Sequence, residues 1–203
     1  MKCRHAKDSE LDAVCILMAE AFNEDPLHEV LIPDPEVRIH MLYEYFYIYI
    51  ELAKKRGGTL IAENNAGALV YFRPEAIDTA DEDVAIIDAH IRKVCGSYSA
   101  VVAAYTHGLE YYHPRTPPHY YIPLIAIQHS SRGGSVMTNL FNALHSMADE
   151  DNYPCYLECT RLRTRTHFRR WGYLDAGFTL NINGLPELFP AWREPHICVA
   201  DNF

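Results

Sequence analysis

The run from Ile122 to Leu144, IPLIAIQHSSRGGSVMTNLFNAL, constrains this chain most. Its first part is apolar and β-branched, as a buried strand requires. Arg132-Gly133-Gly134-Ser135 then reads as a turn, because glycine reaches backbone conformations closed to other residues. Beyond it Val136, Met137, Leu140, Phe141, Leu144 and Ala148 fall on one stripe of a helix. A glycine turn feeding a helix presents free backbone N–H groups at the positive end of the helix dipole, which suits a phosphate or pyrophosphate. A tight strand-to-helix turn with no ligand has the same pattern, so the turn by itself assigns nothing.

The rest of the chain supplies alternating elements. Residues 2–6 read as a first strand. A helix starts at Asp8 or Ser9 and places Leu11, Val14, Cys15, Met18, Ala19 and Phe22 on one face, and Pro26 ends that region. Pro33-Asp34-Pro35 signals a turn and a helix start. Residues 36–56 are rich in Tyr, Phe and Ile, which favour strands. Their length and their Lys54-Lys55-Arg56-Gly57-Gly58 ending favour a helix. Residues 59–63 and 68–72 pair as a hairpin about Asn64-Asn65-Ala66-Gly67. Helices follow at 81–94 and 98–112, closed by Pro114, Pro117 and Pro118. Then come a strand at 119–127, a helix at 134–150, a strand at 154–159, a short helix at 163–171, and strands at 174–182 and 196–200. No repeat or linker interrupts this order, so the expectation is one domain over 1–203 built on a mixed α/β sheet. Pro123 lies inside the 119–127 strand, where proline is normally excluded. Either a β-bulge accommodates it, or the residues before Leu124 form a loop.

Composition excludes several classes. At 49% hydrophobic and 22% charged residues the chain is neither disordered nor a membrane span. A net charge of −9 argues against a general nucleic-acid binder. The six cysteines form no CxxC pair, and reduced thiols in a cytoplasmic protein are expected. No stretch of 18 apolar residues exists, and the N-terminus has no apolar signal core, so no membrane association is expected. The eleven histidines form no HExxH motif or close pair, and no metal is expected.

Three segments together resemble the cofactor-binding region of the GNAT superfamily of acyl-CoA-dependent N-acetyltransferases. Ile125-Ala126-Ile127 followed by Arg132-Gly133 matches the end of its strand and the start of its motif. Tyr156-Leu157-Glu158 resembles its next strand, and residues 164–173 resemble the following helix with its Gly-Phe ending, here Gly172-Tyr173. Pro154-Cys155-Tyr156-Leu157-Glu158 is close to the Pro-x-Tyr-Leu-Glu pattern of one bacterial and fungal GNAT group, which Asp25-Pro26 and Arg73-Pro74 also fit. The resemblance implies a mostly antiparallel sheet flanked by helices. It implies a bulge at Pro123 that parts two strands for a pantetheine arm. It also implies acetyl-CoA as co-substrate, with the amine of a small molecule or peptide as acceptor. Cofactor contacts are implied for Ile125, Ala126, Ile127, Arg132, Gly133, Gly134, Ser135, Val136, Met137, Thr164 and Phe168. The chain departs from the family pattern at four of these. Ser135 and Met137 replace small motif residues, Thr164 replaces an Asn that reaches the pantetheine, and Phe168 replaces a Tyr that protonates the leaving thiolate.

An ammonium cannot attack a carbonyl, so such chemistry needs a general base. His119, Tyr120, Tyr121 and Glu158 are the candidates; His119 also reads as an exposed strand-start residue and Tyr121 as a core aromatic. The basic cluster Arg161, Arg163, Arg165, Arg169 and Arg170 fits either the 3′-phosphate of the cofactor or, preferably, a solvated face paired with Asp149, Glu150 and Asp151. Tyr43, Tyr45, Tyr47, Tyr49, Tyr111 and Tyr112 fit an acceptor pocket or a homodimer face, with core packing preferred for most. Three functional readings follow: an active N-acyltransferase, a weakened GNAT-fold module that binds CoA or a partner protein, and a mixed α/β domain that binds no CoA.

Overall fold

A computed structural model describes residues 3–78 and 80–196. Its first strand is Cys3–His5 (β1), and a 3-10 turn leads into Leu11–Phe22 (α1). Pro26 opens a helix where the sequence suggested an ending: it occupies the first position of Pro26–Leu31 (α2), and Asp25 caps that helix by accepting from the Leu27 N–H. Asp34 and Pro35 repeat the device at the start of Pro35–Arg56 (α3). The tyrosines do not make this segment a strand, because Leu42, Tyr45, Phe46, Ile50 and Ala53 recur at helical spacing on its buried side.

The hairpin strands are Gly57–Ala62 (β2) and Gly67–Phe72 (β3), joined through Asn64 and Asn65 at positive φ. β2 begins at Gly57, where a Cβ would lie 2.1 Å from the Tyr71 carbonyl oxygen, so only glycine permits this approach. Asp81–Val94 (α4) and Ser99–Tyr112 (α5) follow, then Tyr120–Ile127 (β4), Val136–Glu150 (α6), Cys155–Cys159 (β5) and Leu162–Phe168 (α7). The expected strand at 174–182 shrinks to Leu174–Asp175 (β6) and one bridge from Leu180 to Leu188, because Gly177 turns the chain at positive φ. Phe189–Arg193 (β7) was not expected, since Pro190 argues against a strand. Pro190 is tolerated because β6 ends opposite Ala191; on that side Pro190 only accepts, its carbonyl taking the Ala176 N–H at 3.3 Å, and no donor is required of it. Of the expected strand at 196–200, His196 lies outside any strand and the remainder falls outside the described residues.

The seven strands form one sheet in the order β1-β2-β3-β4-β5-β7-β6. Every neighbouring pair is antiparallel except β4 and β5. Apolar residues of α1 to α5 pack on one face, and those of α6 and α7 on the other. No helix among the described residues is long and apolar enough to cross a membrane.

The sheet is irregular at Pro123. On β3, Val70 and Phe72 are two residues apart, but their partners Leu124 and Tyr121 on β4 are three apart, so β4 carries an extra residue. Side-chain parity changes across it. Tyr121 joins the α1–α5 side of the core and Ile122 the α6 side, yet Leu124 and Ala126 are again on the α1–α5 side. That is the signature of a bulge.

Arg193, 3% exposed, anchors the end of α6 to β7 through a two-pronged contact with the Asp149 carboxylate at 2.8 and 2.9 Å. Asp149→Ala strands this guanidinium in a buried site. Urea unfolding should show a loss of about 2–4 kcal/mol, in the range for breaking one half of a buried charge pair.

Candidate active site

β4 and β5 pair only at Tyr120 with Cys155 and Tyr121 with Tyr156. The bulge then turns β4 away, and among the described residues no strand pairs with that edge of β4 beyond Tyr121. Backbone groups without a ladder partner need water or a ligand. A cleft of about 1510 Å³ opens at this fork.

One half of the cleft is built by the segment that opened the sequence reading. Ile125, Ala126, Ile127, Arg132, Gly133, Gly134, Met137, Thr164 and Phe168 all line it. Gly133 turns the chain there at φ +82°. Ser135 and Val136 do not line it, unlike the expectation. α6 begins at Val136, whose side chain is buried against Gly67, and the Ser135 hydroxyl accepts from the Asn139 side chain on the exposed helix start. The backbone of this turn still faces the mouth of the cleft through Gly133 and Gly134. Arg132, Arg163 and Arg170 line this half and form no ion pair among the described residues.

The other half is walled by aromatic side chains, among them Phe22 of α1, Tyr45 and Tyr49 of α3, and Tyr105 of α5. Tyr45 and Tyr49 are hydrogen-bonded to each other, and Tyr45 also to Thr106. Tyr111 and Tyr112 lie elsewhere, in edge-to-face contact with each other and exposed rather than packed in the core.

Glu158 sits at the fork on β5, with its side chain 6% exposed, and lines the cleft. Burial pushes its carboxyl up to about 7, while the Tyr121 and Tyr156 hydroxyls beside it favour the charged form. Its Oε1 and the Tyr156 hydroxyl are both buried without a closed hydrogen bond. A carboxyl so placed titrates where a general base works best. Tyr121 also lines the cleft, but burial and the neighbouring Glu158 raise its hydroxyl well above its ordinary value, so it stays protonated. His119 is not an exposed strand-start residue. It is fully buried, does not line the cleft, and stacks on His113 at 5.0 Å, a close histidine pair that sequence spacing conceals. The Tyr120 hydroxyl points to the opposite face and donates to Asp151.

The arginine cluster finds other partners than those expected. Arg165 pairs with Asp175, Arg161 with Asp25, while Asp149 belongs to Arg193 and Asp151 to Tyr120. α6 ends where β5 starts, and α7 begins where β5 ends. The length of β5 separates the acids from the arginines.

A latch across the mouth was not legible in the sequence. Asp25, 7% exposed, accepts from the Leu27 N–H at 3.1 Å, His28 at 3.3 Å and the Thr160 hydroxyl at 2.6 Å. Arg161 donates to the Glu24 carbonyl at 2.8 Å. These bonds join the α1–α2 turn to the end of β5, and so hold the two walls at a fixed width.

No family model and no curated protein matches the sequence, but solved structures match its fold along nearly its whole length. A histone acetyltransferase HPA2 and related acetyltransferase from Corynebacterium glutamicum superposes with a TM-score of 0.72 at 22% identity, covering 98% of each chain. The fold is that of the GNAT acetyltransferases. An arylalkylamine N-acetyltransferase 2 from Aedes aegypti gives a TM-score of 0.61 at 10% identity over 96% of this chain and 99% of that one. An N-acetyltransferase from Staphylococcus aureus gives 0.57 at 14% identity over 95% and 100%. Within the GNAT fold the parted strands and the glycine turn occupy one continuous cleft in this chain.

Asp25→Ala removes the acceptor shared by both walls and leaves His28 and Thr160 unpaired. Stability measured by denaturant unfolding should fall by about 2–3 kcal/mol, as expected for several buried donors losing one charged partner.

Proposed function

We propose that this protein is an N-acyltransferase that moves an acetyl or other acyl group from acyl-CoA to the amine of a small molecule or peptide by direct attack. The observation that carries this reading is the coincidence, in one cleft, of the fork between β4 and β5 with a buried carboxyl that titrates near 7.

The residues present fit acetyl-CoA as co-substrate. The unpaired edge of β4 from Ile125 to Ile127 offers backbone N–H groups to a carbonyl and to the amides of a pantetheine arm. Gly133, Gly134 and the start of α6 offer N–H groups to a pyrophosphate, and Arg132, Arg163 and Arg170 add positive charge. Met137, Thr164 and Phe168 line the apolar path between. Bound there, the thioester supplies an acyl carbon with a good leaving group.

Glu158 acts as general base on the acceptor side. Its carboxylate takes a proton from the nitrogen, whose electron pair forms the bond to the acyl carbon, while the C–S bond breaks and its pair leaves on sulfur. Phe168, 4% exposed, has no proton to return. A free thiol ionises near 8.5, so the thiolate is a fair leaving group without an acid, and this loss costs toward the low end of roughly 10²–10⁴-fold. The aromatic wall suits the hydrocarbon portion of an amine. Unpaired thiols at Cys3, Cys15, Cys95, Cys155 and Cys159 support a cytoplasmic setting.

Phe168 and Met137 favour a second reading, a CoA-binding or interaction module with weakened turnover. Release of CoA that depends on an added amine separates the two. Acetyl-CoA should bind with micromolar affinity by calorimetry, and Arg132→Ala should weaken it about tenfold, the usual worth of one charge-assisted phosphate contact. Absence of binding removes both readings.

Glu158→Gln should lower kcat by about 10²–10⁴-fold with acetyl-CoA affinity unchanged. In the wild type, kcat/KM should rise with pH through about 7 and then level off, because the base works only when ionised. The same carboxyl opposes folding. An unfolded glutamate ionises near 4.3, so the cost of burying the charge grows as pH rises from about 4 and is complete above about 7. Glu158→Gln should therefore unfold at higher urea than the wild type at pH 8, by on the order of 3 kcal/mol, and lose that advantage at pH 4.

A further inference from the structure

Behind Glu158, outside the cleft, lies a buried histidine pair that the proposed chemistry does not use. His113 follows α5 and is 7% exposed; His119 precedes β4 and is fully buried. His119 Nδ1 is 2.8 Å from the Pro117 carbonyl oxygen, and its Nε2 is 3.0 Å from Nε2 of His113. The other nitrogen of His113, Nδ1, faces the partnerless Oε1 of Glu158 at 4.0 Å. That gap is too long for a hydrogen bond.

These contacts determine where the protons sit. A carbonyl oxygen only accepts, so His119 Nδ1 carries a hydrogen. A neutral imidazole has one N–H and one bare nitrogen, so His119 Nε2 is bare and accepts from His113 Nε2. His113 Nδ1 is then bare as well. Both rings are neutral: burial lowers His113 to about 3, with His119 and the Arg115 guanidinium adding to it, and burial also lowers His119. The groups facing Glu158 are Tyr121 of β4, Tyr156 of β5, Tyr49 of α3, Tyr105 of α5, and His113. Apart from His113 each of these is a hydroxyl that burial keeps protonated, so His113 Nδ1 is the one nitrogen acceptor among them.

We propose that the Pro117 carbonyl locks the tautomers of His119 and His113 in series, and that His113 thereby serves as a positioning residue that presents a lone pair to Glu158. The proposal rests on Glu158 being the general base. The ionised carboxylate faces an acceptor and gains no bond from it. Once Glu158 takes the amine proton on its cleft-side oxygen, a turn of the carboxyl exchanges its two oxygens, brings the new O–H to His113 Nδ1 and holds it there, away from the departing product. The lock thus favours the protonated state of the base and turns the carboxyl the same way in each cycle.

The test uses full-length protein with ¹⁵N-labelled histidine. Long-range ¹H–¹⁵N spectra distinguish a bare from a protonated ring nitrogen, and the His113 and His119 signals are assigned by their loss in His113→Phe and His119→Phe. The wild type should show His113 protonated at Nε2 and bare at Nδ1; a proton on Nδ1 overturns the lock. In His119→Phe, His113 loses its acceptor and should move its proton to Nδ1, where it donates to the carboxylate. The acidic limb of kcat/KM, read with acetyl-CoA and an amine that the wild type turns over, should then fall by about one pH unit, roughly a tenfold gain below the limb relative to the plateau. An unmoved limb with His113 still protonated at Nε2 overturns the proposal, since a packing role alone changes stability without moving either readout. If His119→Phe fails to fold, the wild-type spectrum alone still decides the tautomer. Full turnover in Glu158→Gln removes the base and with it the catalytic role of His113, while the spectrum reports the lock independently.

Discussion

One extra residue in β4 governs this molecule. A regular strand from Tyr120 to Ile127 would pair with β5 along its whole length and close the sheet. Proline cannot donate to a ladder, so Pro123 removes one bond, and the bulge around it swings the rest of the strand away from β5. Everything in the proposed site follows from that separation. The free edge of β4 exposes backbone donors, the fork admits a ligand between strands, and the glycine turn is set at the far end of the gap. β5 answers with its own neighbour, β7, so the sheet loses little order by opening in the middle.

The electrostatics of the fork run against stability. Glu158 is enclosed by tyrosines and a neutral histidine rather than by a cation, although five arginines lie within the next dozen residues of the chain. Those that could neutralise it are engaged elsewhere: Arg161 is held by Asp25 and the Glu24 carbonyl, and Arg165 by Asp175. A carboxyl that folding alone would pair or replace is kept unpaired at the point where the two halves of the cleft meet. That is the pattern expected where a group is retained for its proton rather than for its packing.

How much of this was legible in the sequence depends on whether the signal was local. Glycine turns, amphipathic stripes and the Arg132-Gly133 run are short-range features, and they led to the helix–sheet order and to most residues of one half of the cleft. The bulge was legible too, because Pro123 conflicts with the strand around it. Features that need distant residues were not. Asp25 and Thr160 are far apart in the chain, so no window contains the latch. His113 and His119 sit six apart across a proline loop and read as unrelated until the loop folds them face to face. β7 was hidden by Pro190, harmless only because its neighbour β6 is so short. The arginine partners were misjudged because nearness in sequence, from Asp149 to Arg163, spans opposite ends of β5.

The latch has a consequence for how such a cleft can change over time. The half proposed for the cofactor comes from one contiguous stretch, β4 through α7, whereas the aromatic wall comes mostly from α1, α3 and α5. The two meet through the core shared by β4 with α1, α3 and α5 and, at the rim, through the bonds of Asp25, Thr160 and Arg161. Substitutions in the wall recut the space offered to an acceptor and leave the turn, the fork and Glu158 as they are. On the proposed function, the acceptor space can therefore change while the donor site stays as it is, provided Asp25 and Thr160 keep the mouth at its width.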